Sequence, residues 1–80
     1  MKLIKFEKEN CPYCDMVQNF LDAHDIKAEK INAFDKPEMA VKYDIGSVPV
    51  TILLDDDGNE IQRSVGFKIE ELEGIISKIN

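Results

Sequence analysis

The sequence predicts an α/β fold, a four-stranded mixed sheet in the order β-α-β-α-β-β-α with helices on both faces. Three observations carry this. The apolar run Val50-Thr51-Ile52-Leu53-Leu54 has the composition of a strand buried on both faces of a sheet. Asp57-Gly58 follows it, the pair favoured where a hairpin turns back. Upstream, two strand-like stretches flank a segment of helical periodicity, a crossover unit whose parallel strands join right-handedly.

Residues 2–6 read as a buried strand around Leu3, Ile4 and Phe6. A helix is predicted from Pro12 to about His24, with Cys14, Val17, Phe20, Leu21 and His24 at helical spacing and Asp22 and Asp25 facing out. Pro12 suits its first position, because its fixed φ is helical and its missing N–H has no partner to lose there. His24 ends that helix, where a cationic side chain suits the dipole; this is preferred to a ligand or general-base role. Ile26 to Ile31 alternates imperfectly and reads as a second strand. Asp35-Lys36-Pro37-Glu38 resembles a capping box, with Asp35 as N-cap and Glu38 reaching back, opening a short helix to Tyr43 that stops before Gly46.

Val50 to Leu54 is the third strand. The acidic run Asp55-Asp56-Asp57-Gly58-Asn59 lacks the spaced ligands and terminal glutamate of a calcium loop and reads as a solvated turn. Glu60 to Val65 returns antiparallel until Gly66 breaks it. The last helix spans about Ile69 to Ile79, with Ile69, Leu72, Ile75, Ile76 and Ile79 as its core stripe.

Eighty residues are expected to make a single domain, 1–80, around one core. The apolar share of 44% and charged share of 32% are those of an ordinary globule. Ten basic and sixteen acidic residues leave a net charge of −6 with no basic patch, which argues against a nucleic-acid partner. No apolar stretch is long enough for a membrane span. Met1 to Phe6 is too short for a secretory leader and is followed at once by Glu7, Lys8 and Glu9. A cytoplasmic monomer is therefore expected. In that reducing setting disulfides tend to be transient and catalytic.

The chemistry concentrates at Cys11-Pro12-Tyr13-Cys14, at the head of the first helix. Unpaired backbone N–H groups and the positive end of the helix dipole would face the Cys11 sulfur and favour its thiolate, the form that attacks disulfides. One helical turn brings the Cys14 sulfur back beside it. Cys11 is thus the expected nucleophile and Cys14 the resolving thiol. A purely structural disulfide would close a very short loop, and short loops yield little chain-entropy stabilisation. A protein-only zinc or iron–sulfur site would need further ligands, and His24 is the one other soft or imidazole donor.

These residues resemble the thioredoxin superfamily over nearly the whole chain, which implies the thioredoxin fold and thiol–disulfide exchange. Cys11-Pro12-Tyr13-Cys14 is similar to the dithiol glutaredoxin tetrad, and Lys8 stands where glutaredoxins often carry a base. Ser47-Val48-Pro49 resembles the segment that sets a cis-proline opposite the dithiol, leaving Val48 backbone groups to pair with an extended substrate. The resemblance implies a docking rim of Pro12, Tyr13, Val48, Pro49, Gly66 and Phe67. Glutaredoxins grip the γ-glutamyl end of glutathione with Gly-Gly and a following acid; here the segment is Val65-Gly66-Phe67-Lys68. The Gly66-Phe67-Lys68 triplet resembles the glutaredoxin-like hydrogen donors of ribonucleotide reductase, which take electrons from thioredoxin reductase.

The stretches Ile31 to Tyr43 and Val48 to Gly66 are more similar to thioredoxin. Two thioredoxin features are missing. The chain has no Trp, and the buried acid expected six residues before the first cysteine is Lys5. Asp15 after Cys14 is expected to oppose ionisation of that thiol, with Lys8 and Lys5 offsetting part of the effect. The implied partners are a disulfide-bearing protein such as ribonucleotide reductase and a flavoprotein reductase. No bound cofactor or metal is implied, with glutathione the alternative co-substrate. A glutathione-assisted 2Fe–2S cluster-binding module is the reading from a different class, although proline after the first cysteine is unusual there.

Overall fold

The strand Val50–Leu54 (β3) is buried along its whole length, and the other elements are laid around it. The computed structural model describes residues 1–79, in the order β1 (Lys2–Glu7), α1 (Pro12–Ala23), β2 (Glu29–Asn32), α2 (Pro37–Lys42), β3, β4 (Glu60–Val65) and α3 (Ile69–Ile79). The sheet order is β2-β1-β3-β4, with β1 and β2 parallel and the other pairs antiparallel. Strand alternation sorts the core into two layers. Leu3 and Leu53 face α1 and α3, where Val17, Leu21, Leu72 and Ile75 close over them. Ile4, Phe6, Val50, Ile52 and Leu54 face the other side, where Met39 and Tyr43 of the α2 region cover them. This is the mixed sheet with helices on both faces that the sequence predicts.

Three local expectations are corrected. The second strand starts at Glu29, not Ile26. Asp25 takes a positive φ of 57°, the Ile26 N–H returns to the Leu21 carbonyl at 2.9 Å, and Ile26 and Ala28 are spent packing against the α1/α3 layer. Asp35 does not cap α2. The N-cap is Lys36 without a side-chain bond, because Asn32 closes the preceding turn: its Oδ1 accepts from Phe34 N at 2.9 Å and Asp35 N at 3.2 Å. Along α3, Leu72, Ile75 and Ile76 are buried, but Ile69 and Ile79 at the helix ends are 48% and 36% exposed.

The β3–β4 hairpin closes through Asp55. Its Oδ1 accepts from Asp57 N at 2.9 Å and Asn59 N at 2.8 Å, and Gly58 adopts φ 86°, a conformation glycine takes without steric penalty. The acidic run is thus a hydrogen-bonded turn. Arg63 of β4 pairs with Glu60 at 2.7 Å and donates to the Tyr43 carbonyl at 2.9 Å, tying the end of α2 to the sheet.

Candidate active site

One row of residues across the sheet sets the position of the site. Ile31, Phe6, Val50 and Val65 stand side by side on β2, β1, β3 and β4. The segments just beyond that row therefore share one edge: Ala33-Phe34 after β2, Lys8 to Cys11 after β1, Val48-Pro49 before β3 and Gly66-Phe67 after β4. The Gly66 N–H donates to the Pro49 carbonyl at 2.8 Å, which fastens two of these segments together. Gly66 has φ 80°, a backbone setting that L side chains rarely adopt. The Val48–Pro49 bond is cis.

The approach to α1 explains why the first cysteine is a cap. Asn10 takes φ 53°, which asparagine tolerates better than most residues, and turns the chain into the helix. Cys11 follows as N-cap in an extended conformation, with Pro12 at the first helical position. In place of the usual hydroxyl or carboxylate cap, the Cys11 sulfur accepts the Cys14 N–H at 3.1 Å. The two cysteines are joined as a disulfide, their Cα atoms 5.2 Å apart. Cys11 is 7% exposed and Cys14 only 3%, so the first faces partners more readily. A hydrogen bond and a helix N-terminus aimed at Cys11 stabilise negative charge on it after reduction.

The remaining predicted positions distribute unevenly. Pro12 is exposed and Tyr13 is 62% exposed, flanking the cysteine pair. Lys8 is exposed and lines a groove of about 440 Å³ with Phe34, Ile45 and Val48. Pro49 is buried and Val48 half-buried. Phe67 is half-buried and turned toward the core, its ring edge-on to Phe20 at 6.4 Å, so much of its apolar surface is already covered. Asp15 is exposed, and His24 is the C-cap of α1 with Nδ1 3.1 Å from the Phe20 carbonyl. Among the described residues no group of His, Cys, Asp and Glu is arranged to hold a metal ion.

Two residues were absent from the predicted rim. Phe34 is 76% exposed on the same edge, in a loop whose direction depends on Asn32. Lys5 is 1% exposed on the α1 face of β1, the face that also carries Leu3.

A thioredoxin-like domain family matches residues 2–79. The chain belongs to that family. It is 44% identical to the SPbeta prophage-derived thioredoxin-like protein YosR of Bacillus subtilis, covering 99% of each chain. It is 37% identical to a thioredoxin of Chlamydia trachomatis, covering 95% of this chain and 79% of that one. Among solved structures, thioredoxin 1 of Thermosipho africanus superposes with a TM-score of 0.75 at 27% identity, covering 99% and 93% of the two chains. The thioredoxin NaTrxh of Nicotiana alata superposes with a TM-score of 0.81 at 28% identity, covering 95% and 70%. The fold is the thioredoxin fold, and the cysteine pair at its sheet edge makes this thioredoxin-like chain a thiol–disulfide oxidoreductase. Among the described residues, no helix is long and apolar enough to cross a membrane.

Proposed function

We propose that the chain reduces disulfides in protein partners and is itself re-reduced by a flavoprotein of the thioredoxin-reductase type. In the reduced protein the Cys11 thiolate attacks one sulfur of the partner disulfide. That S–S bond breaks, the departing partner sulfur takes a proton from water, and Cys11 becomes joined to the partner. The Cys14 thiolate then attacks the Cys11 sulfur, forms the Cys11–Cys14 bond and releases the second partner thiolate. Two electrons pass to the partner, and the chain is left oxidised until the reductase returns them. A disulfide-bearing enzyme such as ribonucleotide reductase has the chemistry such a monomer would serve.

The observation that carries the choice of reductant is the start of α3. Glutathione would need an acid there to hold its γ-glutamyl ammonium, and Gly66 is followed by Phe67 and Lys68. Of the two acids in the first turn of α3, Glu70 and Glu71, the second is already engaged: its Oε1 accepts from Ser64 Oγ at 3.0 Å and Val65 N at 3.2 Å. An unpaired charge at a partly buried contact costs about 1–3 kcal/mol, or roughly tenfold to a hundredfold in affinity. The second reading, a glutathione-dependent glutaredoxin, is favoured by Lys8 and the Cys-Pro-Tyr-Cys tetrad. The deciding assay couples insulin reduction to NADPH through thioredoxin reductase or through glutathione with glutathione reductase. Turnover is expected with the former and little with the latter; robust activity only with glutathione would reverse the assignment. An absorption band in the visible region after anaerobic purification would instead point to a 2Fe–2S module.

A further inference from the structure

Lys5 is a buried cation that thiol–disulfide exchange as described so far does not use. Its side chain is 2% exposed and lies between β1 and the first turns of α1. Nζ donates to Gln18 Oε1 at 2.7 Å and pairs with Glu7 Oε1 at 2.8 Å. An ammonium has three N–H donors, and the third reaches only the Cys14 carbonyl, at a long 3.5 Å. The groups around it come from each neighbouring element. Glu7 lies on β1, and Gln18 on α1 is itself bonded to Asp22 Oδ1 at 2.9 Å. Thr51 on β3 stands opposite Lys5 in the antiparallel register. The Thr51 hydroxyl is fully buried and has no hydrogen-bond partner among the described residues.

A weakly used ammonium proton and an orphaned hydroxyl side by side are unusual in a core, where buried polar groups are normally satisfied. Both belong to the oxidised state, in which the Cys14 sulfur carries no charge. We propose that Lys5, with Thr51 beside it, is a positioning residue that stabilises the Cys14 thiolate once the disulfide is reduced. The carboxylate that relatives of this fold place at the same point would have to take the Cys14 proton; an ammonium cannot accept one. It acts on the thiolate directly, and the proton leaves to solvent before Cys14 attacks Cys11.

The inference rests on Cys14 being the resolving thiol, which trapping of partners by Cys14→Ser tests separately. Three measurements address Lys5 itself. In the reduced native protein, the Cys14 ¹³Cβ signal is expected to titrate below the ordinary cysteine range of about 8.5. In a glutathione redox buffer, Lys5→Met is expected to make the disulfide harder to reduce by about tenfold in the equilibrium constant, near 30 mV. Glu7→Gln removes the neutralising carboxylate and keeps the ammonium, so it is expected to shift the same equilibrium the opposite way. A general structural role would move both variants in one direction. Cys14 titrating at or above the ordinary range, or both variants shifting alike, overturns the proposal, and the native titration keeps it testable if Lys5→Met fails to fold.

Discussion

Limiting alkylation of the reduced protein gives a quantitative test of which thiol attacks first. The Cys14 N–H points at the Cys11 sulfur from 3.1 Å. A hydrogen bond to a charged acceptor contributes about 1.5–3 kcal/mol, against about 0.5–1.5 kcal/mol for a neutral one. The difference, about 1–1.5 kcal/mol in favour of the thiolate, amounts to roughly one decade in thiolate population. A more stable thiolate is also a weaker nucleophile, with a Brønsted coefficient of about 0.4–0.5, so about half of that decade is lost in rate. Against an unperturbed thiol this hydrogen bond alone would leave Cys11 about threefold faster at neutral pH, a margin that stabilisation of the Cys14 thiolate by Lys5 narrows. Access adds to this, since Cys14 is 3% exposed within the first turn. With substoichiometric iodoacetamide and peptide mapping, Cys11 should carry more label than Cys14, and in Lys5→Met the ratio should rise toward about threefold or more. The ratio should fall as the medium becomes alkaline and both thiols ionise. Preferential labelling of Cys14, or a ratio indifferent to pH, would refute the reasoning.

Three further outcomes are expected. Cys11→Ser should abolish turnover, whereas Cys14→Ser should keep the first attack and accumulate mixed disulfides visible on non-reducing gels. Leu53→Ala, at a 0% exposed position between α1 and α3, should lower unfolding stability in urea by about 2–5 kcal/mol while leaving the cysteines oxidisable. Asp55 bears on acid stability: backbone N–H groups led by that of Asn59 hold its carboxyl below the ordinary aspartate value. Its contribution is therefore present above the ordinary range and lost as pH falls through the folded value, so Asp55→Ala should melt earlier at neutral pH and converge on the parent in acid.

The parts of the fold legible in the sequence are those whose signals are local. β3 is a short apolar run, the hairpin has its Asp-Gly, α1 has Pro12 at its first position, and α3 carries Leu72, Ile75 and Ile76 at helical spacing. The dithiol was legible for the same reason, since a cap and its partner one turn later are fixed by helix geometry alone. What sequence reasoning missed depends on distant partners. Ile26 and Ala28 alternate as a strand would, but packing against the α1/α3 layer takes them before any pairing begins. Asp35 has the residue type of a cap, but Asn32 accepts from the Phe34 and Asp35 N–H groups and closes a turn ahead of the helix, which then starts one residue later without a side-chain cap.

Phe67 shows the same limit within the site. Its place after Gly66 puts it on the correct edge, but the direction of its ring is decided by Phe20 on another element. Lys5 makes the point most sharply. The resemblance puts Lys5 in the place of a buried acid, but in the run Lys2-Leu3-Ile4-Lys5-Phe6 no apolar–polar alternation says what would cover it or hold its charge. Lys2 ends in an exposed pair with Glu29, whereas Lys5 is covered by α1 and held by Gln18 and Glu7. Thr51, its neighbour across the ladder, is buried with it. The surroundings of Lys5 are thus set by the packing of a helix onto a strand, and that packing alone brings its ammonium within 3.5 Å of the Cys14 carbonyl.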